Sequence, residues 1–362
     1  MRISTMMMYE QMNQAMQNVN SQITNDTTQL STGKTINKPS DNPVGEQQNL
    51  GYTVSIQTNT QYESNMQQAN TFLSAADTAF TSANTTLSDL QNLASTGINS
   101  NTQGNDADFS QQAANDRDSL LSLANTQVGD QYIFSGFKTN QQAFSFNAAT
   151  NTYDYNGDLG SIQVPIGNGS SMAMNIQGSN AFSVSLDGAT LPTSLSDGTP
   201  VSYTQATDPT TGVNTITVTI GNEGDADYDT FNVSNVMDIA NVMSSAFQSQ
   251  NVDGTALNAD AGVSQQMAQH RIDALGAVIQ GAQNQVLEQQ TEVGSRQDAL
   301  TNQKSMLDQT DLNLEADSSN IDAANTTQLG VAISQADVTL EALESSTASI
   351  LQTSLSLYDF LA

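Results

Sequence analysis

From Ile272 onward an apolar residue returns at every seventh position: Ile272, Ile279, Val286, Val293, Leu300, Leu307, Leu314 and Ile321. Towards the other end, Tyr62, Met66, Ala69, Leu73, Ala76, Phe80, Ala83, Leu87, Leu90 and Ala94 follow at steps of four and three. A straight α-helix drifts against a seven-residue repeat, so a sustained repeat predicts helices that wind around one another. The first of these segments is predicted helical from about Val44 to Ile98. At 1.5 Å per residue that is ~80 Å, longer than a globular core accommodates. The second runs to about Ala324. Its alternate seam positions are polar (Gln289, Arg296, Gln303, Thr310, Asp317), which predicts packing beside other helices of the same chain rather than a two-helix dimer.

Two shorter amphipathic helices are predicted at the chain ends. Tyr9, Met12, Met16, Val19, Ile23 and Leu30 mark one, and Leu329, Ile333, Ala336, Leu340, Leu343, Thr347, Ile350, Leu357 and Leu361 mark the other. Each has a single apolar face and is marginal alone, so the two are expected to pair. Between the first two helices lies Ser31 to Pro43. Here Gly33 is placed to stop a helix in the left-handed conformation, and Pro39 and Pro43 forbid a helix through the segment. Ser40 or Asp41 is the expected cap of the next helix, with Pro43 in its first turn.

A turn region over Gly97 to Asn105 and a third helix over Ala107 to Gly129 follow. At Tyr132 the texture changes: Tyr132, Phe134, Phe137, Phe144, Phe146, Tyr153 and Tyr155 alternate with turn residues, a strand pattern. The clearest hairpin sets Val201–Thr204 against Thr215–Ile220 across Asp208-Pro209-Thr210-Thr211-Gly212. Roughly 132 to 232 reads as β-rich. A short helix capped by Ser234 or Asn235 and a loop over Asn251 to Gly262 lead into the long heptad helix. The expected fold is mainly α with a β-rich insert: a long α-helical coiled-coil rod formed by the N- and C-terminal segments, with a central β-rich outer domain. The expected domains are a terminal helical one (1–44 and 326–362), a helical rod with β-hairpin elements (45–147 and 251–325) and the outer domain (148–250).

Apolar content is 37%, low for a globular chain but sufficient for narrow helical seams. Acids outnumber bases 37 to 8, a net charge of −29, which argues against nucleic acid and anionic membrane as partners. Zero Cys removes disulfides, thiol catalysis and thiolate metal sites. The apolar runs are too short for a membrane span or a cleaved secretory signal.

Candidate chemistry is sparse. Gly33-Lys34-Thr35 resembles the end of a phosphate-binding loop, but position 28 is Thr28 where that loop needs glycine. Asp225-Ala226-Asp227-Tyr228-Asp229 alternates acids like a calcium loop, yet Thr230 and Val236 occupy the glycine and final-acid positions, so it reads as a solvated hairpin end. His270 is the lone histidine and reads as a surface residue. No catalytic constellation, cofactor site or metal site emerges, and no enzymatic role is expected.

Leu30-Ser31-Thr32-Gly33-Lys34-Thr35-Ile36-Asn37-Lys38-Pro39-Ser40-Asp41-Asn42-Pro43-Val44-Gly45 resembles the signature that follows the first helix of bacterial flagellins and their relatives. Tyr132-Ile133-Phe134-Ser135-Gly136-Phe137-Lys138-Thr139-Asn140 with Ala143-Phe144, and the ending Ser354-Leu355-Ser356-Leu357-Tyr358-Asp359-Phe360-Leu361, are similar to the hook-associated protein 3 branch of that family. Met1-Arg2-Ile3-Ser4-Thr5 and Val293-Gly294-Ser295-Arg296 fit the same pattern. Thr86 to Ala94 departs from flagellins in lacking their arginines there, so flagellin-type recognition by innate immune receptors is not implied.

The resemblance implies a structural subunit of the bacterial flagellum, a ring at the hook–filament junction. It implies extracellular placement after type III export without a cleaved signal. The implied partners are copies of itself, the first hook-associated protein, flagellin and a cytoplasmic export chaperone holding the C-terminal helix. Assembly residues expected on this basis are Met12, Met16, Val19, Ile23, Leu340, Leu343, Ile350, Leu357 and Leu361. Gly33, Pro39 and Pro43 are the expected turn of the spoke between inner bundle and rod. Two other readings are flagellin itself and a secreted hydrolase on a helical stalk. The C-terminal octet and the Tyr132 to Phe144 segment disfavour the first. An insert without His or Cys leaves the second only an acid-only glycosidase.

Overall fold

The computed structural model describes residues 2–98, 105–187 and 189–361, with side chains from 6 to 352 outside the gaps. The elements in chain order are α1 (Arg2–Thr32), α2 (Pro43–Gly97), α3 (Asp106–Ala124), β1 (Gln127–Val128), β2 (Gln131–Tyr132), β3 (Phe144–Asn147), β4 (Thr152–Tyr155), β5 (Gln163–Gly167) and β6 (Ser170–Ala173). There follow α4 (Gly178–Ala181), β7 (Val201–Thr207), β8 (Asn214–Ile220), β9 (Asp229–Val233), α5 (Val236–Phe247), α6 (Ala261–Asp322) and α7 (Thr326–Leu361). The chain is mainly α with a β-rich insert, as the periodicities predict. It divides into two compact units, one of residues 61–305 and a smaller one of 1–60 with 306–362.

In the larger unit the two seams meet. Met66, Ala69, Leu73, Ala76, Phe80, Ala83, Leu87, Leu90 and Ala94 of α2 are buried, as are Ile272, Ile279, Val286, Val293 and Leu300 of α6. Antiparallel register is fixed by a polar ladder that repeats every seven residues on each helix. Gln283 donates to Ser88 Oγ (3.3 Å), Gln290 to Thr81 Oγ1 (3.0 Å), and Gln297 to Ser74 Oγ (3.2 Å). Seven residues further along α6, the ion pair Lys304–Glu63 (3.4 Å) continues the contact, though on α2 it lies eleven residues from Ser74. The seam drives association and the ladder selects one register, because a slip would leave these amides unpaired.

The polar strip on α6 has a different neighbour from the one expected. Arg296 Nη1 donates to the carbonyl oxygens of Ala173 (3.3 Å) and Asn175 (3.0 Å). The side chain of Gln303 lies against Gly167 of β5. A β-hairpin, not a helix, covers that side, and polar seam positions suit its exposed backbone carbonyls.

Four small sheets make up the insert, all antiparallel: β1-β2, β3-β4, β5-β6 and β7-β8-β9. The predicted hairpin is present, with Val201 opposite Ile220 and Thr204 opposite Thr217, and β9 extends it to three strands. An aromatic cluster seats the insert on α2: Phe134 lies 5.4 Å from Phe80 and 5.0 Å, edge to face, from Phe182, which also meets Phe144 at 6.1 Å. Helix α5 is buried along most of its length and packs on α3, where Ser110 and Ser244 exchange side-chain to backbone bonds of 2.8 and 2.9 Å. Its cap is Asn235, whose side chain accepts from the Asp238 amide at 3.0 Å.

Three local expectations fail. The third helix stops at Ala124, five residues early, because Asn125 caps it and Gly129 (φ +61°) turns the chain; Val128 belongs to β1. Helix α2 is capped by Asn42, whose Oδ1 accepts from the Gly45 amide at 3.0 Å. Ser40 makes no such bond, and Asp41 instead binds the amides of Asn37 (3.1 Å) and Lys38 (2.9 Å). His270 is buried rather than on the surface. The predicted turn over Gly97 to Asn105 lies largely outside the described residues.

Candidate assembly surface

The smaller unit begins from the helix stop. Gly33 has φ +71°, a conformation that glycine adopts without the Cβ penalty. Ending α1 there turns the backbone onto the C-terminal end of α6. The Ala324 amide donates to Gly33 O (2.9 Å) and the Thr35 amide to Asp322 O (2.7 Å). The buried Asp322 carboxylate accepts from the Ile36 amide at 3.1 Å and pairs with Lys34 Nζ at 2.8 Å. Pro39 then takes the second position of a turn closed by the Asp41 amide on Lys38 O (2.9 Å), and Pro43 opens α2. Gly33, Pro39 and Pro43 thus form one clasp around Asp322. Asp322 was missed from sequence, though a clue existed: an acid at a helix C-terminus opposes the macrodipole and needs a partner.

Beyond the clasp, α1 and α7 pack along each other, as their single apolar faces predict. Met12, Met16, Val19 and Ile23 on α1 and Leu340, Leu343 and Ile350 on α7 are half-buried, and Thr347 Oγ1 lies 3.9 Å from Met16 Sδ. The predicted assembly residues are therefore already partly engaged within the chain. Leu357 and Leu361 lie on α7 outside the residues whose side chains are described.

What remains open is other apolar surface, of which the heptad reading singled out only Leu30. Met6, Met7, Met8 and Leu30 on α1, Val44, Leu50 and Val54 on α2, Met306 and Leu312 on α6, and Val331, Val338 and Leu351 on α7 are all exposed. Val338 is 68% exposed and Val331 63%. Against this, the buried apolar side chains of the unit are only Ile36, Leu307 and Ala336 among the described residues. The larger unit shows the reverse balance. Its exposed large apolar residues are Phe137, Phe146, Leu159, Tyr228 and Leu287, beside a core of several dozen. Exposed apolar residues concentrated in a unit with almost no core make this unit the candidate assembly surface.

The other candidate sites are structural. His270 Nε2 lies 2.8 Å from Asp197 Oδ2, and its Nδ1 is 3.7 Å from Asp227 Oδ2 without a hydrogen bond. Arg271 pairs with the buried Asp229, donates to Asn251 Oδ1 at 2.9 Å and stacks over Phe231 at 5.3 Å. The acidic run Asp225–Asp229 is thus not simply a solvated hairpin end: Asp229, paired with Arg271, holds the β8–β9 sheet to α6. Among the described residues no three His, Cys, Asp or Glu side chains gather as a metal site. No helix of the described chain is long and apolar enough to cross a membrane.

Comparison with known proteins agrees with the fold. Residues 3–139 match the family described as the bacterial flagellin N-terminal helical region. Flagellar hook-associated protein 3 of Salmonella typhimurium is 29% identical over 184 residues, half of this chain and 57% of that protein. The Escherichia coli protein of the same name is 31% identical over 147 residues, 40% of this chain and 46% of its own. The chain thus spans about half the length of the curated relatives it matches. The crystal structure of the flagellar junction protein of Legionella pneumophila superposes with a TM-score of 0.53 at 19% identity, covering 76% of this chain and all of the other, and shows a shared fold. In its helical signature and in these relatives, the chain is similar to the N-terminal helical region of bacterial flagellins and to flagellar hook-associated protein 3.

Proposed function

We propose that this chain is a structural subunit of the bacterial flagellum that forms the junction ring between hook and filament. The observation that carries the reading is the smaller unit: a clasped set of helices whose apolar side chains face outward. Such a unit gains its core by association, with copies of itself around the ring, with the first hook-associated protein below and with flagellin above. The larger unit carries a complete core and needs no partner to fold. The same exposed faces of α1 and α7 are the surfaces an export chaperone would shield before the chain leaves the cell for the flagellum. No catalytic step is assigned to it.

The test is reconstitution. Purified chain is added to isolated hooks capped with the first hook-associated protein, and then flagellin is supplied. The reading expects a few copies bound per hook, visible by electron microscopy, and filament growth that depends on them. Failure to bind capped hooks would overturn it, and incorporation by thousands along the filament would assign the flagellin role instead.

A further inference from the structure

Asparagine followed by glycine occurs twice in the chain, at Asn156-Gly157 and Asn168-Gly169. Such a pair can react with itself. The glycine amide nitrogen can attack the asparagine side-chain carbonyl carbon, because no Cβ stands in the way. In a folded chain the reaction depends on whether the two groups are free to approach, and here the two sites differ.

Asn156 is half-buried and held from several sides. Its Nδ2 donates to Ser145 Oγ (2.9 Å) and its amide to the Ala143 carbonyl (2.8 Å). Its carbonyl accepts from Lys138 Nζ (3.1 Å) and Gln141 Nε2 (2.9 Å). Gly157 is packed as well, since an added Cβ would lie 2.3 Å from Tyr155 Oη. Turning Asn156 into an attack geometry would break several of these bonds together.

Asn168 is the opposite case. Gly167 pairs with Ser170, so Asn168 and Gly169 are the two residues of the turn between β5 and β6. Both are exposed, and a Cβ on Gly169 would meet nothing within 4 Å. Among the described residues neither the Asn168 carboxamide nor the Gly169 amide takes part in a hydrogen bond. The pairing is also irregular between Pro165 and Gly167, which shortens the regular ladder next to the turn. The other end of the hairpin is the fastened one. There the Met174 amide donates to Ile162 O (2.9 Å), the Ile162 amide to Asn175 Oδ1 (2.7 Å) and Asn65 Nδ2 to Pro165 O (2.9 Å). The tip can open while these bonds stay in place.

We infer that Asn168 is a self-modification site of the folded protein, converted through a cyclic imide to aspartate and isoaspartate, while Asn156 is preserved. The Gly169 amide nitrogen bonds to Asn168 Cγ as it gives up its proton. The bond from Cγ to Nδ2 breaks, and the nitrogen leaves with that proton as ammonia. One water then opens the ring. Opening at the side-chain carbonyl yields aspartate. Opening at the main-chain carbonyl yields isoaspartate, in which the backbone runs through Cβ and Cγ. The net change is water taken up and ammonia released, with no oxidation or reduction. Either product adds a carboxylate to a chain already at net charge −29. Isoaspartate also inserts a methylene into the backbone of a two-residue turn, which the pairing of Gly167 with Ser170 does not accommodate. That product therefore unpairs the tip of the hairpin beside Gln303.

The test is made on the isolated full chain and is independent of the assembly reading. The folded chain is aged in mildly alkaline buffer and digested under mildly acidic conditions. The Asn156 and Asn168 peptides are then followed by mass spectrometry, and isoaspartate is counted with an isoaspartyl methyltransferase. Asn168 is expected to convert at least ~10-fold faster than Asn156 in the folded chain, and the two at similar rates in urea. Asn168→Gln, whose longer side chain closes the ring poorly, is expected to remove the methyl acceptance. Aged wild-type chain is expected to be cut faster by protease within β5 and β6. Asn168→Asp, which carries the charge on a normal backbone, is expected to be cut at the rate of fresh wild type. The inference falls if Asn168 stays intact in the folded chain, or if Asn156 converts as fast. Equal protease resistance of aged and fresh chain would overturn the unpairing of the hairpin tip.

Discussion

Gly33 shows what a single backbone angle does here. No atom would lie within 4 Å of an added Cβ, so the position has room. The obstacle is φ +71°, which costs a β-branched residue roughly 1–2 kcal/mol. Gly33→Val is therefore expected to loosen the clasp and raise hydrogen exchange at the Thr35 and Ala324 amides about 5- to 30-fold. Unchanged protection at both would contradict the left-handed stop. Sequence gave this residue its role through helix-stop chemistry alone. His270 and Asp238 were not legible in the same way, because their surroundings come from strands and loops far away in sequence.

Asp238 illustrates the point. Its carboxylate accepts from the Tyr153 amide (2.9 Å), the Ser234 amide (3.1 Å) and Asn235 Nδ2 (2.9 Å), tying β4 to the start of α5. Burial nonetheless pushes its pKa up from 3.8 to about 7. A raised folded-state pKa means that, between those values, the folded chain holds a proton which the unfolded chain has released. The contribution is present in full below pH 3.8 and is lost as pH rises through about 7. The larger unit is expected to lose on the order of 3 kcal/mol from this group between pH 4 and 7.5. Asp238→Asn should flatten that part of the profile and lower stability throughout, since its amide nitrogen would meet N–H donors. Melting temperatures of both proteins at pH 5 and 7.5 provide the check; parallel profiles would remove Asp238 as the cause.

At the scale of elements, the seven-residue spacing was the most readable feature. Ile272 to Leu300 are buried where the repeat places them, because helix geometry turns spacing directly into a face. What covers the remaining faces was not readable, and so the polar strip of Arg296 and Gln303 met a β-hairpin. For the terminal helices, pairing was readable from two marginal amphipathic patterns, but which face stayed open was not. Leu343 and Ile350 are half-buried on the seam side of α7. Placing a carboxylate there costs several kcal/mol beyond the lost apolar burial of roughly 1 kcal/mol. Leu343→Glu or Ile350→Glu should therefore separate α1 from α7 in the isolated chain, lowering its helical circular dichroism signal while the larger unit still melts as before. An unchanged signal would show that this seam does not hold the two helices.

At the scale of the whole molecule, the two units differ in how they satisfy their apolar residues. One has a core of Phe80, Phe134, Phe182 and the α2 and α6 seams; the other buries only Ile36, Leu307 and Ala336 among the described apolar residues. Limited digestion of the isolated chain with a protease of broad specificity should remove the ends first and leave a resistant core containing residues 61–305. Equal resistance of both units would mean that the smaller one is self-sufficient. The most direct test of assembly uses residues that do nothing in the monomer. Val331 and Val338 are exposed, so replacing both with Ser should leave the melting of the isolated chain unchanged. If this face is buried between subunits, each lost valine removes about 1–1.5 kcal/mol per contact, and copies bound to capped hooks should fall at least ~10-fold. Wild-type binding by the Val331→Ser/Val338→Ser chain would contradict the claim that the open apolar face of the smaller unit is its assembly surface.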